Sequence, residues 1–149
     1  MEKQIPFRTV PGSRGCIALA RQGDFLYAAG GDTLSVYNVR QADQPELIWR
    51  RGGFGNGRQL AAVGDRLYLT AREFGLWILD IQKPASPAVL TQFDTAELAT
   101  GIATAGNLIF VTLRIYGVEI LDCSDPRHPR HLSLIRTPEA QSAAYSLSL

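Results

Sequence analysis

Short apolar runs of strand length, separated by turn residues, recur along this chain at a fixed interval. Asn38, Asp80 and Asp122 are 42 and 42 apart, as are Pro45, Pro87 and Pro129, and Gly23, Gly64 and Gly106 are 41 and 42 apart. A period of this size marks a repeat architecture in which each segment is one unit of a stack. In the second unit the runs are Leu60-Ala-Ala-Val, Leu67-Tyr-Leu-Thr, Leu76-Trp-Ile-Leu-Asp-Ile and Ala88-Val-Leu. The third unit matches them with Ile102-Ala-Thr-Ala, Leu108-Ile-Phe-Val-Thr and Val118-Glu-Ile-Leu-Asp-Cys.

Each unit therefore predicts four strands, here A to D in chain order. Val, Ile, Leu, Tyr and Phe suit a pleated surface. Gly-Asp or Gly-Asn at Gly23, Gly64 and Gly106 predicts a tight A–B hairpin. Pro84 to Pro87 and Pro126 to Pro129 cannot lie in a central strand, so they mark the C–D loops. No segment keeps a 3.6-residue apolar period, so essentially no helix is expected. Four antiparallel strands per ~40 residues describe one blade of a β-propeller. The competing architecture, a β-sandwich, would not keep so many positions at one offset.

These residues resemble the LVIVD-repeat family of β-propellers. Leu76-Trp-Ile-Leu-Asp-Ile and Val118-Glu-Ile-Leu-Asp-Cys occupy its signature strand, and Ser124-Asp-Pro-Arg-His-Pro matches the turn that follows. Gln82-Lys-Pro-Ala-Ser-Pro keeps both prolines without the Asp. The first unit departs most, with Asn38 for Asp and only Pro45 of the proline pair. The resemblance implies an all-β propeller fold and an exported or cell-surface setting in many relatives. It is weak on function, because the repeated residues are structural.

Three whole repeats are expected at about 15–51, 57–95 and 101–137, within one partial propeller domain spanning 1–149. Phe7-Arg-Thr resembles Phe93-Asp-Thr and Ile135-Arg-Thr, so a D strand is expected within 1–9. Ala144-Tyr-Ser-Leu-Ser-Leu resembles an A strand, expected within 143–149. Propellers have about 4–8 blades, and four at this period would need 168 residues against the 149 here. The reading is an open or incomplete ring, an N-terminal fragment of a longer propeller. The remaining blades, or self-association through open strand edges, would complete it.

A net charge of +1 gives no global bias toward nucleic acid. No apolar run approaches the ~20 residues of a membrane-spanning helix, and Met1 to Pro6 holds no apolar signal region. Cys16 and Cys123 sit in apolar stretches and are expected to be small buried thiols.

Catalytic motifs are not found, and neither a cofactor nor a metal site is expected. Gly52 to Gly57 is glycine-rich but leads into a strand, so it reads as a flexible inter-blade loop and not a phosphate cradle. His128 and His131 lack a third ligand and read as loop histidines on the outer rim. Asp80 and Asp122 read as strand-end acceptors that fix the next turn. Tyr27, Tyr68 and Phe110 read as blade core, and Trp77 as packed between blades.

The candidate site is positional. D–A and B–C loops share the face at the mouth of a propeller's channel. They are expected to carry Arg14, Arg58, Arg72, Glu73, Phe74, Glu97, Arg114 and Tyr116. Arg72 and Arg114 are 42 apart and hence equivalent on neighbouring blades. Arg suits planar anions and aromatics add contact area. The expected function is a non-enzymatic binding or scaffold module for a protein or small anionic ligand. The alternative is part of a propeller hydrolase or lyase whose active site other blades complete.

Overall fold

The computed structural model describes residues 15–136, which form twelve strands and no helix. The expected strands within 1–9 and 143–149, and Arg14, lie outside these residues. Blade 1 comprises β1 (Ala18–Gln22), β2 (Phe25–Gly30), β3 (Thr33–Asn38) and β4 (Glu46–Arg51). Blade 2 comprises β5 (Gly57–Val63), β6 (Arg66–Ala71), β7 (Gly75–Asp80) and β8 (Ala88–Phe93). Blade 3 comprises β9 (Ala99–Ala105), β10 (Leu108–Leu113), β11 (Gly117–Asp122) and β12 (Arg130–Ile135). Each is an antiparallel sheet with its strands in chain order.

The hairpin glycines Gly23, Gly64 and Gly106 take φ of 58°, 57° and 59°, as the A–B turns require. Asp80 Oδ1 accepts the Gln82 amide at 2.8 Å and Asp122 Oδ1 that of Ser124 at 2.9 Å. Asn38 Oδ1 does the same for Arg40 at 3.0 Å. The substitution of Asn for Asp in the first repeat is thus conservative, because both side chains supply the one acceptor the turn uses.

Burial shows why the middle strands are apolar on both faces. Leu67, Tyr68, Leu69, Thr70 and Ala71 in β6 are all buried, whereas β8 is exposed or half-buried throughout. A sheet sandwiched between two others buries both sides of its central strands, so period-two alternation disappears there. One core lies between blades 1 and 2, where Tyr27, Leu34 and Val36 meet Leu67, Leu69 and Leu79. The other lies between blades 2 and 3, where Tyr68, Leu76 and Ile78 meet Ile109, Val111 and Leu121. Trp77 packs at the edge of the first core. Phe110, expected in the core, is only half-buried, because its side of blade 3 has no neighbouring blade among the described residues.

Each C–D pair breaks register at the same repeat position, after Val36, Ile78 and Ile120. A bulge of this kind bends a strand and re-aims a side chain. The residue left over is Ile48, Leu90 or Leu132 in turn; Ile48 packs on the first core and Leu90 on the second.

The A strands of successive blades lie side by side. Gly57 N donates to Gly31 O at 3.2 Å, and one repeat on, Ala99 N donates to Arg72 O at 3.1 Å. Gln59 Oε1 also accepts the Ile102 amide at 2.8 Å.

Candidate functional site

Strand direction places the loops. With A and C running one way and B and D the other, the B–C and D–A connections of every blade fall at one end of the sheets. In blades 2 and 3 that end carries Arg72-Glu73-Phe74, Arg114-Ile115-Tyr116 and the connection 94–98. A cleft of about 430 Å³ opens there, lined by Arg72, Glu73, Asp94, Thr95, Glu97 and Leu98.

The charges at this end are partly paired. Arg114 Nε lies 3.7 Å from Glu97 Oε1, and Glu97 Oε2 accepts the Ile115 amide at 3.0 Å. Thr95 Oγ1 donates to Glu97 O at 2.7 Å. Gln92 Nε2 donates to Phe74 O at 2.6 Å and to Asp94 Oδ1 at 2.7 Å. Arg72 Nε is buried and meets no acceptor among the described residues, so one donor there remains unused. The cleft therefore holds carboxylates of Glu73, Asp94 and Glu97 beside a single guanidinium. Both signs of charge line it.

Apolar groups stand beside these charges. Phe74, Ile115 and Tyr116 are 43, 46 and 43 % exposed. Phe74 stacks on Trp77 with centroids 6.2 Å apart, and the Arg136 guanidinium lies 5.7 Å from the Tyr116 ring centroid. Stacking holds such rings in one orientation, which lowers the entropy lost when a partner covers them.

The structure moves one candidate and changes three expectations. Arg58 lies in β5, not in a loop. It is the unpaired residue of a bulge between Gly57 and Gln59, half-buried. Cys16 is exposed, because it precedes β1 instead of lying within it, whereas Cys123 is buried and its thiol is pushed up to about 12 by that burial. The glycine-rich 52–57 connection is tethered: Asp32 accepts the amides of Gly53 and Gly55 at 2.8 and 2.7 Å. These two bonds hold the Asp32 carboxyl below the usual carboxylate range. An anion-binding arrangement of amides does exist there, already filled by the chain's own carboxylate.

His128 Nδ1 lies 2.8 Å from Asp125 Oδ2 in the third C–D loop. His131 Nδ1 lies 2.9 Å from Glu119 Oε1. Glu119 is 2 % exposed and its Oε2 accepts the Ala96 amide at 2.8 Å. Among the described residues no group of three or more His, Cys, Asp or Glu is placed to hold a metal ion.

Sequence reasoning missed Ile115, Asp32 and Glu119. Ile115 sits between Arg114 and Tyr116, so its position was readable, but an isoleucine in a loop carries no chemical signal. Asp32 has no counterpart at the 42-residue offset. Glu119 is a polar position set among the apolar residues of β11, and nothing in the sequence marks its contacts with the Ala96 amide and His131.

The sequence pattern of the LVIVD repeat matches residues 54–95. No curated protein sequence matches the chain. Among solved structures, the chain is similar to the computationally designed Ika4 protein, at 15 % identity and TM-score 0.70. That match covers 95 % of this chain and 84 % of Ika4. It is similar to RRP9 WD40 repeats at 14 % identity and TM-score 0.75, covering 93 % of this chain and 43 % of the other. It is also similar to Saccharomyces cerevisiae Sqt1 at 13 % identity and TM-score 0.72, covering 87 % and 37 %. The chain thus spans less than half the length of the last two. With these likenesses added to three serial four-stranded sheets, the chain is a β-propeller array that carries an LVIVD repeat in its second blade.

Proposed function

We propose that this propeller array is a non-enzymatic binding or scaffold module, part of a larger ring. Its partner is a protein segment that docks on the B–C and D–A end of blades 2 and 3. The observation that carries this reading is that equivalent loops at one end of blades 2 and 3 present exposed Phe74, Ile115 and Tyr116 next to Arg72, Glu73 and Arg114. Aromatic and Arg side chains dominate the energetics of protein interfaces, and an exposed apolar group ringed by charges is their usual surface form. A small anion is the narrower occupant, reached through Arg72 and the bulge residue Arg58. The carboxylates of the cleft favour the peptide, which can answer both charges.

The test uses an arrayed library of 15-residue peptides probed with the labelled protein. Peptides that bind are expected to lose at least tenfold in affinity to Phe74→Ala plus Tyr116→Ala, and to Arg72→Ala plus Arg114→Ala. His128→Ala, in a loop at the other end of the sheets, is expected to leave them bound. Binding that survives both double variants, with circular dichroism unchanged, overturns the reading.

A further inference from the structure

The seam between blades 2 and 3 is almost free of charge, because β8, β9 and β10 carry no ionisable side chain. Glu119 is the exception. It stands two residues before Leu121, on the face of β11 that packs into the second core, and is 2 % exposed. Both its oxygens are engaged: Oε2 accepts the Ala96 amide at 2.8 Å, and Oε1 lies 2.9 Å from His131 Nδ1. A carboxylate only accepts, so the shared proton sits on Nδ1. The same two positions hold Trp77 and Val89 in blade 2, and Ser35 and Leu47 in blade 1. All four are uncharged, so the blade itself does not require an acid and a histidine there.

Glu119 holds part of the ligand end. Ala96 is the middle residue of the connection 94–98, and Asp94, Thr95, Glu97 and Leu98 on either side of it line the cleft with Arg72. Within that connection Thr95 Oγ1 donates to Glu97 O, and Glu97 Oε2 in turn accepts the Ile115 amide. A continuous run of bonds therefore leads from His131 on the outer rim to the wall of the cleft.

A buried carboxylate is stable only while it is bonded and its charge is answered. The Ala96 amide supplies a bond, and His131 alone supplies a countercharge. The other charged groups on the surrounding elements are engaged elsewhere: Asp122 with Arg130, Asp125 with His128, Glu97 with Arg114, and Asp94 with Gln92. The His131 side chain is 48 % exposed, so its ring exchanges protons with solvent. Histidine is the side chain whose charge ordinarily changes near neutral pH. A protonated ring gives Glu119 a charge-assisted bond; a neutral ring leaves an ordinary one and an unanswered buried charge.

We infer that His131 and Glu119 form a proton-operated brace on the connection 94–98, through which pH sets the shape of the cleft. The brace is firm while His131 is charged and slackens as pH rises and the ring becomes neutral. Its effect on binding rests on the peptide reading of this end; the brace itself does not.

The test follows the Ala96 amide and the His131 ring of the 149-residue chain by NMR between about pH 5.5 and 8. The amide shift is expected to step with the same midpoint as the ring. The step is expected to vanish in both His131→Gln and Glu119→Gln, with circular dichroism unchanged, and to persist in His128→Ala, which removes the exposed histidine of the C–D loop. An Ala96 shift that stays flat while His131 titrates overturns the inference. So does a ring that keeps one charge state throughout, or a step that survives His131→Gln. A binding peptide that contains no histidine is then expected to weaken about threefold from pH 6 to pH 8, and not at all in His131→Gln. Equal affinity at both pH values overturns the link from brace to cleft. A failure to find any binding peptide counts against the ligand-face reading alone, because the Ala96 step needs no ligand.

Discussion

Single residues set the turns, and the third repeat shows how much chemistry one position gathers. Asp122 accepts the Ser124 hydroxyl and amide, and Arg130 Nη2 reaches its other oxygen at 2.8 Å. The Ser124 hydroxyl bond, then the Arg130 bond, hold this carboxyl down at about 2, against 3.8 in an open chain. A depressed folded-state value means that ionised Asp122 favours the folded state above pH ~4 and loses this effect as pH falls toward 2. Carboxyl-detected NMR is therefore expected to show Asp122 titrating near 2, and Asp122→Asn is expected to flatten the acid limb of the stability curve. A titration at an ordinary value would remove the basis for that turn's rigidity. The turn role was legible in the sequence, because Asn38, Asp80 and Asp122 share one offset. Arg130 was not, since no other repeat places a cation there.

At the scale of elements, the hairpins and C–D loops were readable because glycine and proline constrain the backbone wherever they stand. The bulges were not. A register break leaves no mark in composition, and its three occurrences became visible only through pairing. The same lack misplaced Arg58, which belongs to a strand but stands outside its ladder. Backbone proximity adds a further requirement at Gly75, where φ is +69° and an added Cβ would meet Phe93 O at 2.3 Å and Thr95 N at 2.8 Å. Those atoms are main chain and cannot swing aside. Gly75→Ala is expected to destabilise the protein by more than ~1–3 kcal/mol and to lower its urea midpoint without changing the denaturant slope. Gly75 begins β7 beside Phe74, so the same substitution is expected to weaken peptide binding.

The whole molecule is a series of interfaces, and stability follows position in the series. In such arrays each repeat draws its stability from its neighbours. Ile78 and Ile120 are equivalent residues at the same register break, yet Ile78 is fully buried between blades and Ile120 only half-buried. Ile78→Ala is expected to cost about 2–5 kcal/mol and Ile120→Ala markedly less in the 149-residue chain, both read by urea unfolding. Equal losses would mean that the outward face of blade 3 is already packed as tightly as an internal one. The repeat period disclosed this serial order, but the two separate cores and the asymmetry of Phe110 needed coordinates, since Tyr27, Tyr68 and Phe110 look alike along the chain.

One small difference between neighbouring blades acts on this order. Trp77 and Glu119 occupy the same repeat position, and Phe54 and Ala96 are likewise equivalent. Trp77 Nε1 donates to Phe54 O at 3.0 Å, whereas Glu119 Oε2 accepts from the Ala96 amide. The first side chain uses its loop's carbonyl and the second its loop's amide. A chain whose repeats slipped by one blade would set the Glu119 carboxylate against the Phe54 loop, whose amide is already bonded to Asp32 O, and would take that carboxylate away from the Ala96 amide. Near-identical repeats invite such mispairing during folding. The exchange of tryptophan for glutamate gives β7 and β11 different handholds on their preceding loops, a mark that tells one repeat from the next.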